Sequence, residues 1–149
     1  MDYKIRKLEE NDLPTLVELC REHAEYENSE YNPKGKEVQL KNAIFSQNPD
    51  LYCYVIESEG EIGGYFSFTF DFSTWDAKDF LYLDCLFLRP NFRGVKIGEA
   101  VFERLKRIAI ENRCVNIQWQ TPTFNHRAIK FYDKIGALGK DKRRFVINL

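Results

Sequence analysis

One carboxylate interrupts an otherwise apolar run, Phe80-Leu81-Tyr82-Leu83-Asp84-Cys85-Leu86-Phe87-Leu88. Burying a carboxylate without a partner is costly, so Asp84 is expected to have a partner or a task. Inside such a strand its pKa is expected to rise, which suits a proton acceptor. The alternative is a sheet-end Asp satisfied by backbone donors. The run leads through Arg89-Pro90-Asn91-Phe92 into Arg93-Gly94-Val95-Lys96-Ile97-Gly98. Strand, tight turn and helix start follow one another there. Free N–H groups and the positive end of a helix dipole attract anions, phosphates above all. Arg93 and Lys96 add charge, and Gly94 lets the backbone approach a ligand. The same pattern fits an ordinary strand-to-helix connection with solvated cations, because a short Gly-containing turn is a weak signal.

A second group of candidates lies in the first third. Glu22, Glu25, Glu27 and Glu30 accompany Tyr26 and Tyr31, and a later loop carries Asp71, Trp75, Asp76 and Asp79. Acidic and aromatic side chains together attract a cationic amine by charge pairing and cation–π contact. Charges on loops and helix ends also simply face water. No metal is expected: Cys20, Cys53, Cys85 and Cys114 are widely spaced, and His23 and His126 lie far apart without obvious ligand partners.

The elements that must position these residues follow from periodicity. Tyr3–Lys7 alternates as a short strand. Asn11-Asp12-Leu13-Pro14 starts a helix with Asp12 as cap, and Leu13, Leu16, Val17, Cys20 and Ala24 share one face. A second helix is expected over Lys36–Ser46, burying Leu40, Ala43 and Ile44. Leu51–Ser58 and Ile62–Phe72 form an antiparallel hairpin, the latter with Phe66, Phe68, Phe70 and Phe72 on one face. Phe80–Leu88 reads as a central strand covered on both sides. Ile97, Val101, Leu105, Ile108 and Ala109 mark an amphipathic helix, and Val115–Gln120 a further strand. Asn125 caps a helix to about Ile135 with Gly136 behind it, and Arg143–Leu149 alternates as a terminal strand. The order β-α-α-β-β-β-α-β-α-β predicts an α/β (α+β) fold: one mixed, mostly antiparallel sheet with helices on both faces, in a single domain over 1–149.

Composition narrows the function. The 149 residues are 44% hydrophobic, 30% charged and 15% aromatic, which excludes disorder and suits a β-containing core with a pocket. The net charge of −1 gives no reason to expect nucleic acid as a partner. No apolar run approaches a membrane span, and Met1-Asp2-Tyr3-Lys4 opens no secretory leader, so a cytoplasmic protein with reduced cysteines is expected.

With these residues in view, the sequence resembles the GNAT superfamily of acyl-CoA N-acyltransferases, and within it most the diamine (spermidine/spermine) acetyltransferases. The superfamily's phosphate motif, [Gln/Arg]-x-x-Gly-x-[Gly/Ala], is matched by Arg93-Gly94-Val95-Lys96-Ile97-Gly98, with Lys96 at its central Gly. Leu81-Tyr82-Leu83-Asp84 matches the diamine enzymes' Leu-Tyr-Leu-acid stretch, and Ala24-Glu25-Tyr26-Glu27 their Ala-x-Tyr-Glu. Asn125, Phe131-Tyr132 and Gly136-Ala137 match their closing motif. Asp84 stands where those enzymes usually carry Glu, and Cys85 where they often carry a second acid.

The resemblance implies direct transfer of an acetyl group from acetyl-CoA to a neutral amine in a ternary complex. It makes Asp84 the base, Tyr132 the acid at the departing thiolate, and a backbone N–H near Leu86 or Phe87 the oxyanion donor. It places CoA against Leu86, Phe87, Leu88, the Arg93–Gly98 turn (Arg93, Gly94, Val95, Lys96, Ile97, Gly98), Asn125 and Tyr132. The amine falls to Tyr26, Glu27, Asp71, Trp75 and Asp84. Read on its own, without the resemblance, Tyr132 is a core aromatic beside Phe131. The expected acceptor is a small cationic amine of diamine, amino-acid or thialysine type. The alternatives are a protein or peptide acetyltransferase, needing an open groove, and a non-catalytic acyl-CoA-binding module, which Lys96 favours. A homodimer using the C-terminal strand is expected, since Phe145, Ile147 and Leu149 would otherwise form an exposed apolar edge.

Overall fold

Alternation of apolar residues builds the sheet as the sequence predicts. The computed structural model describes residues 1–149. β1 (Lys4–Lys7), β2 (Tyr52–Ser58), β3 (Glu61–Ser73) and β4 (Lys78–Leu88) pair antiparallel in chain order. β5 (Ile117–Gln118) adds to β4 in parallel, so α3 (Ile97–Glu111) is the crossover of a β-α-β unit. One face of the sheet presents Ile56, Phe66, Phe68, Leu81 and Leu83 to Val101 and Leu105 of α3. The other presents Val55, Tyr65 and Phe87 to Leu13, Leu16 and Leu19 of α1 (Leu13–Tyr26). Phe66 and Phe68 are essentially inaccessible, and truncating either to Ala is expected to cost about 3–5 kcal/mol. Phe72, read as part of the same stripe, is exposed at the strand's end.

β4 carries a β-bulge at the residue that matters most. Ser67 pairs with Cys85 and Phe68 with Leu83, so Asp84 has no opposite number on β3. The extra residue reconciles two apolar pairs: Leu83 and Leu86 both face the α3 side, which strict alternation forbids. Asp84 is pushed outward and is exposed, not buried. The expectation of a buried carboxylate is corrected by this bulge.

The remaining helices pack more lightly. α2 (Lys36–Ile44) buries no residue fully, and Leu40 and Ile44 lean on the α1 side of the core. α4 (His126–Lys134) is capped by the Asn125 side chain, which accepts the Ala128 N–H at 3.4 Å, and Gly136 follows it at φ 86°. Residues 138–149 form no strand, and Phe145, Ile147 and Leu149 are exposed. The terminal strand read from alternation is therefore not part of this sheet. Alternation describes the faces of a segment, and a strand also needs a neighbour's N–H and C=O groups.

Asp12 does not cap α1 with its side chain. Its carboxylate takes two hydrogen bonds from the Arg6 guanidinium, at 2.7 and 3.1 Å, and one from the Glu9 N–H at 2.8 Å. Arg6 also holds Glu57 at 2.6 Å, so the cluster ties β1, β2 and the start of α1 together. The Arg6 hydrogen bonds hold the Asp12 carboxyl below its ordinary 3.8. A depressed folded-state value stabilises above 3.8 and loses that contribution as pH falls through the folded value. Asp12→Ala is expected to cost about 2 kcal/mol and to lower the melting temperature by about 4–8 °C at neutral pH. The difference from wild type should shrink in melts taken well below pH 3.8; an unchanged melting temperature at pH 7 would remove the cluster from the stability account.

Candidate active site

Two strands that part company make the site. β4 and β5 pair only at Leu81–Ile117 and Tyr82–Gln118, while β4 runs on to Leu88. Beyond that point β4 has no partner on its β5 side, and a wedge opens between the bulge and α4. Leu86 and Leu88 lean on the α3-side core, while Phe87 is buried on the α1 side.

At the wide end of the wedge lies the turn into α3. Gly94 and Lys96 both adopt left-handed backbone, at φ 78° and 63°. For Lys96 this conformation is strained, by roughly 1 kcal/mol relative to Gly. The amides of Gly94, Val95, Lys96, Ile97 and Gly98 find no backbone acceptor within the chain. Consecutive free amides at a helix start are the arrangement that suits a pyrophosphate. Gly98 serves packing as well: a Cβ there would stand 2.8 Å from the Phe131 ring, so its absence lets α4 close on α3.

Arg93 does not face the turn's open side. Its Nε donates to the Leu88 carbonyl at 2.7 Å, and its guanidinium lies over the rings of Tyr26 (4.7 Å) and Phe87 (5.6 Å). It braces the turn against β4 and α1, which leaves Lys96, exposed, as the cation beside the free amides.

Tyr132 projects from α4 and packs edge-on against Trp119, ring centroids 5.2 Å apart. Burial pushes its phenol up to about 12, with Glu27 and Tyr26 adding to the rise. It therefore carries its proton throughout the neutral range. Tyr26 donates its hydroxyl to Asn125 Oδ1 at 3.3 Å, joining the end of α1 to the cap of α4 across the wedge.

The acidic residues divide. Glu22 is bound to Arg89 at 2.8 Å and Glu25 to Arg21 at 2.9 Å, so neither is free for a ligand. Glu27 acts on the Tyr132 phenol, and Glu27 and the bulged Asp84 both act on His23. Asp71 accepts from the Thr69 hydroxyl at 3.0 Å near the far end of β3. Trp75 is fully exposed at the tip of the β3–β4 hairpin. Six residues of β4 separate that tip from Asp84, about 20 Å of strand, so Trp75 and Asp84 do not share one pocket within this chain.

One residue at this site carries no signal in the sequence reading. His23, on α1, stacks on Phe87 with ring centroids 5.3 Å apart. Its Nδ1 is 2.9 Å from the Tyr65 hydroxyl and its Nε2 3.4 Å from Glu27 Oε1. The spacing of His23 and Glu27, four apart on one helix, was the available clue. Tyr65 reaches them from β3, which no linear pattern reveals.

With this geometry in hand, comparison with known proteins is informative. Residues 16–137 match the acetyltransferase (GNAT) family. The chain is 30% identical over 141 residues to the thialysine N-epsilon-acetyltransferase of Bos taurus, covering 89% of this chain and 82% of that protein. It is also 30% identical over 146 residues to the spermidine/spermine N(1)-acetyltransferase-like protein 1 of Homo sapiens, covering 93% of this chain and 21% of that one. An aminoglycoside N-acetyltransferase solved in complex with CoA superposes with a TM-score of 0.81 at 15% identity, covering 99% of this chain and 95% of the other. The last likeness is one of fold. The free amides at the start of α3, the parted strands and the family match agree: the chain belongs to the GNAT family and is an acetyl-CoA-dependent N-acetyltransferase.

Proposed function

We propose that the chain acetylates the primary amine of a small cationic substrate, of the thialysine or diamine kind, by direct attack within a ternary complex. The observation that carries this reading is that Glu27 acts on the Tyr132 phenol, and that Glu27 and Asp84 both act on His23. Carboxylates attract an ammonium ion, and a phenol that keeps its proton can donate it.

Each residue has a task in this reading. The amides from Gly94 to Gly98, with Lys96, hold the pyrophosphate of acetyl-CoA. Arg93 acts indirectly, by fixing the turn through the Leu88 carbonyl. The parted stretch of β4 near Leu86 and Phe87 offers backbone N–H groups to the thioester carbonyl, where negative charge grows during attack. Asp84, solvent-exposed on the bulge, accepts the ammonium proton through water. The Tyr132 hydroxyl delivers its proton to the departing sulfur. Glu27 and Tyr26 line the amine's entrance.

Two further readings belong here. The exposed alternation of Phe145, Ile147 and Leu149, and an apolar groove of about 350 Å³ lined by Phe102, Ile117, Trp119 and Ile135, support a homodimer in which the tail pairs across subunits. Four free cysteines support a reducing, cytoplasmic setting.

Free-thiol release from acetyl-CoA with thialysine, spermidine and an acceptor peptide tests the main assignment. Transfer to the peptide alone would overturn the small-amine reading. Tyr132→Phe should lower kcat by roughly 10- to 100-fold while leaving the acetyl-CoA KM within about threefold; full turnover at saturation would return Tyr132 to the core. Lys96→Glu should raise the acetyl-CoA KM about tenfold at an unchanged melting temperature. Arg93→Ala, by contrast, should lower the melting temperature as well, by releasing the Leu88 carbonyl and the Tyr26 stack. Light scattering at micromolar concentration should give twice the 17.7 kDa chain mass; the single mass would dismiss the dimer.

A further inference from the structure

The amine's entrance contains a titratable group besides its carboxylates. His23 is enclosed by the end of α1, β3 and β4, with 14% of its side chain exposed. On α1 it faces Glu27, one turn ahead. From β3 the Tyr65 hydroxyl meets Nδ1 at 2.9 Å. From β4 come the Phe87 ring beneath it and the Asp84 carboxylate nearby. Cys20 and Cys85 neighbour Tyr65, and burial pushes both thiols up, so they stay protonated and neutral. Three cations border this cluster: Arg93, held over Phe87 and Tyr26 and bound to Leu88; Lys36, near Cys20 and over the Tyr31 ring; and Arg127, near Arg93.

This arrangement fixes what a neutral His23 does. In the neutral tautomer whose Nδ1 accepts the Tyr65 O–H, the ring proton is on Nε2, 3.4 Å from Glu27 Oε1. The imidazole then holds the Glu27 carboxylate while leaving its charge intact. Burial lowers the pKa of His23 below 6.5, against the pull of Glu27 and Asp84, so the neutral form prevails at pH 7. The entrance then carries two carboxylates, Glu27 and Asp84, neither of them ion-paired with a lysine or arginine. A proton on the ring changes that balance: imidazolium and substrate ammonium compete for the same two carboxylates.

We propose that His23 is the positioning residue that sets the charge of the amine entrance: neutral, it aims Glu27 at an incoming ammonium group; protonated, it takes Glu27 as its own counter-ion and excludes that group. The inference rests on the small-amine reading and makes it more specific. The acceptor is bound as its cation, and its proton is removed only after binding. Because the two positive charges compete, the coupling is reciprocal. A bound amine must lower the pKa of His23 by the same factor by which a proton on His23 weakens the amine.

The chain has two histidines, so two imidazole Cε1–H signals, and His126→Gln assigns them. The enzyme saturated with CoA is titrated by NMR with and without thialysine, and again with spermidine. The expected result is a fall of about one pH unit in the His23 midpoint on adding amine, matching a roughly tenfold rise in the amine KM once His23 is protonated. His23→Gln, which keeps an N–H near Glu27 but cannot be charged, should flatten that acid rise in amine KM while the acetyl-CoA KM keeps its wild-type pH dependence. A His23 midpoint indifferent to both amines overturns the proposal whether or not transfer occurs. Turnover of an amine with that result would leave the proposed function standing and this role refuted. A shifted midpoint without turnover would support the role of His23 and count against catalysis.

Discussion

The bulge at Asp84 is the constraint on which the site depends. Without an extra residue in β4, the strand could bury Leu81 and Leu83 or Leu86 and Leu88 against α3, but not both pairs. With it, both pairs reach one face and Phe87 reaches the other. The same residue bends the strand as it leaves β5, and β5 has paired over only two residues. A packing requirement of the core and the opening of the wedge are thus one event. That a carboxylate occupies the bulged position follows from the same geometry, since the extra residue is the one side chain of the strand's middle that is pushed into water.

Charge is distributed around this opening by commitment. Three arginines are spent on structure: Arg6 on Asp12 and Glu57, Arg89 on Glu22 and Glu61, Arg93 on a carbonyl and two rings. Their partners lose the freedom to bind anything else. Glu27 and Asp84 escape this pairing with arginine, and they are the two that border the wedge. On the opposite side, the free amides of the α3 turn supply positive potential without a mobile side chain. One cleft therefore offers a positive end and a negative end, which matches a reaction joining an anionic acyl carrier to a cationic acceptor.

Much of this was legible in the sequence. The aromatic alternation of β2 and β3, the heptad-like face of α3 and the cap at Asn125 each depend on local chemistry, and each forms as read. The turn into α3 was legible as a strand-to-helix connection, and its left-handed residues Gly94 and Lys96 became visible only in the backbone. The misreadings share a cause. Asp84 looked buried because a bulge is invisible to strict alternation. Asp12 looked like a helix cap because its stronger partner, Arg6, lies across a turn. Trp75 was grouped with the amine residues by its aromatic type, and within this chain it stands at the hairpin tip, away from Asp84. His23 was weighed only as a metal ligand because its partners come from three elements. Only side-chain geometry brings Tyr65, Glu27 and Phe87 to one imidazole.

The bond between the Tyr26 hydroxyl and Asn125 spans 99 residues of chain and is long, at 3.3 Å, and exposed. It is the link between the last turn of a helix on one face of the sheet and the first turn of a helix on the other. Neither partner sits in the inaccessible core. Closing so large a loop for one exposed hydrogen bond gains little free energy, so this strap forms late in folding and opens first in the folded state. Hydrogen exchange at the two helix ends therefore runs ahead of exchange in β3 and β4. Opening this strap separates the ends of α1 and α4 at a fraction of the cost of unfolding and leaves the β3–β4 pairing intact.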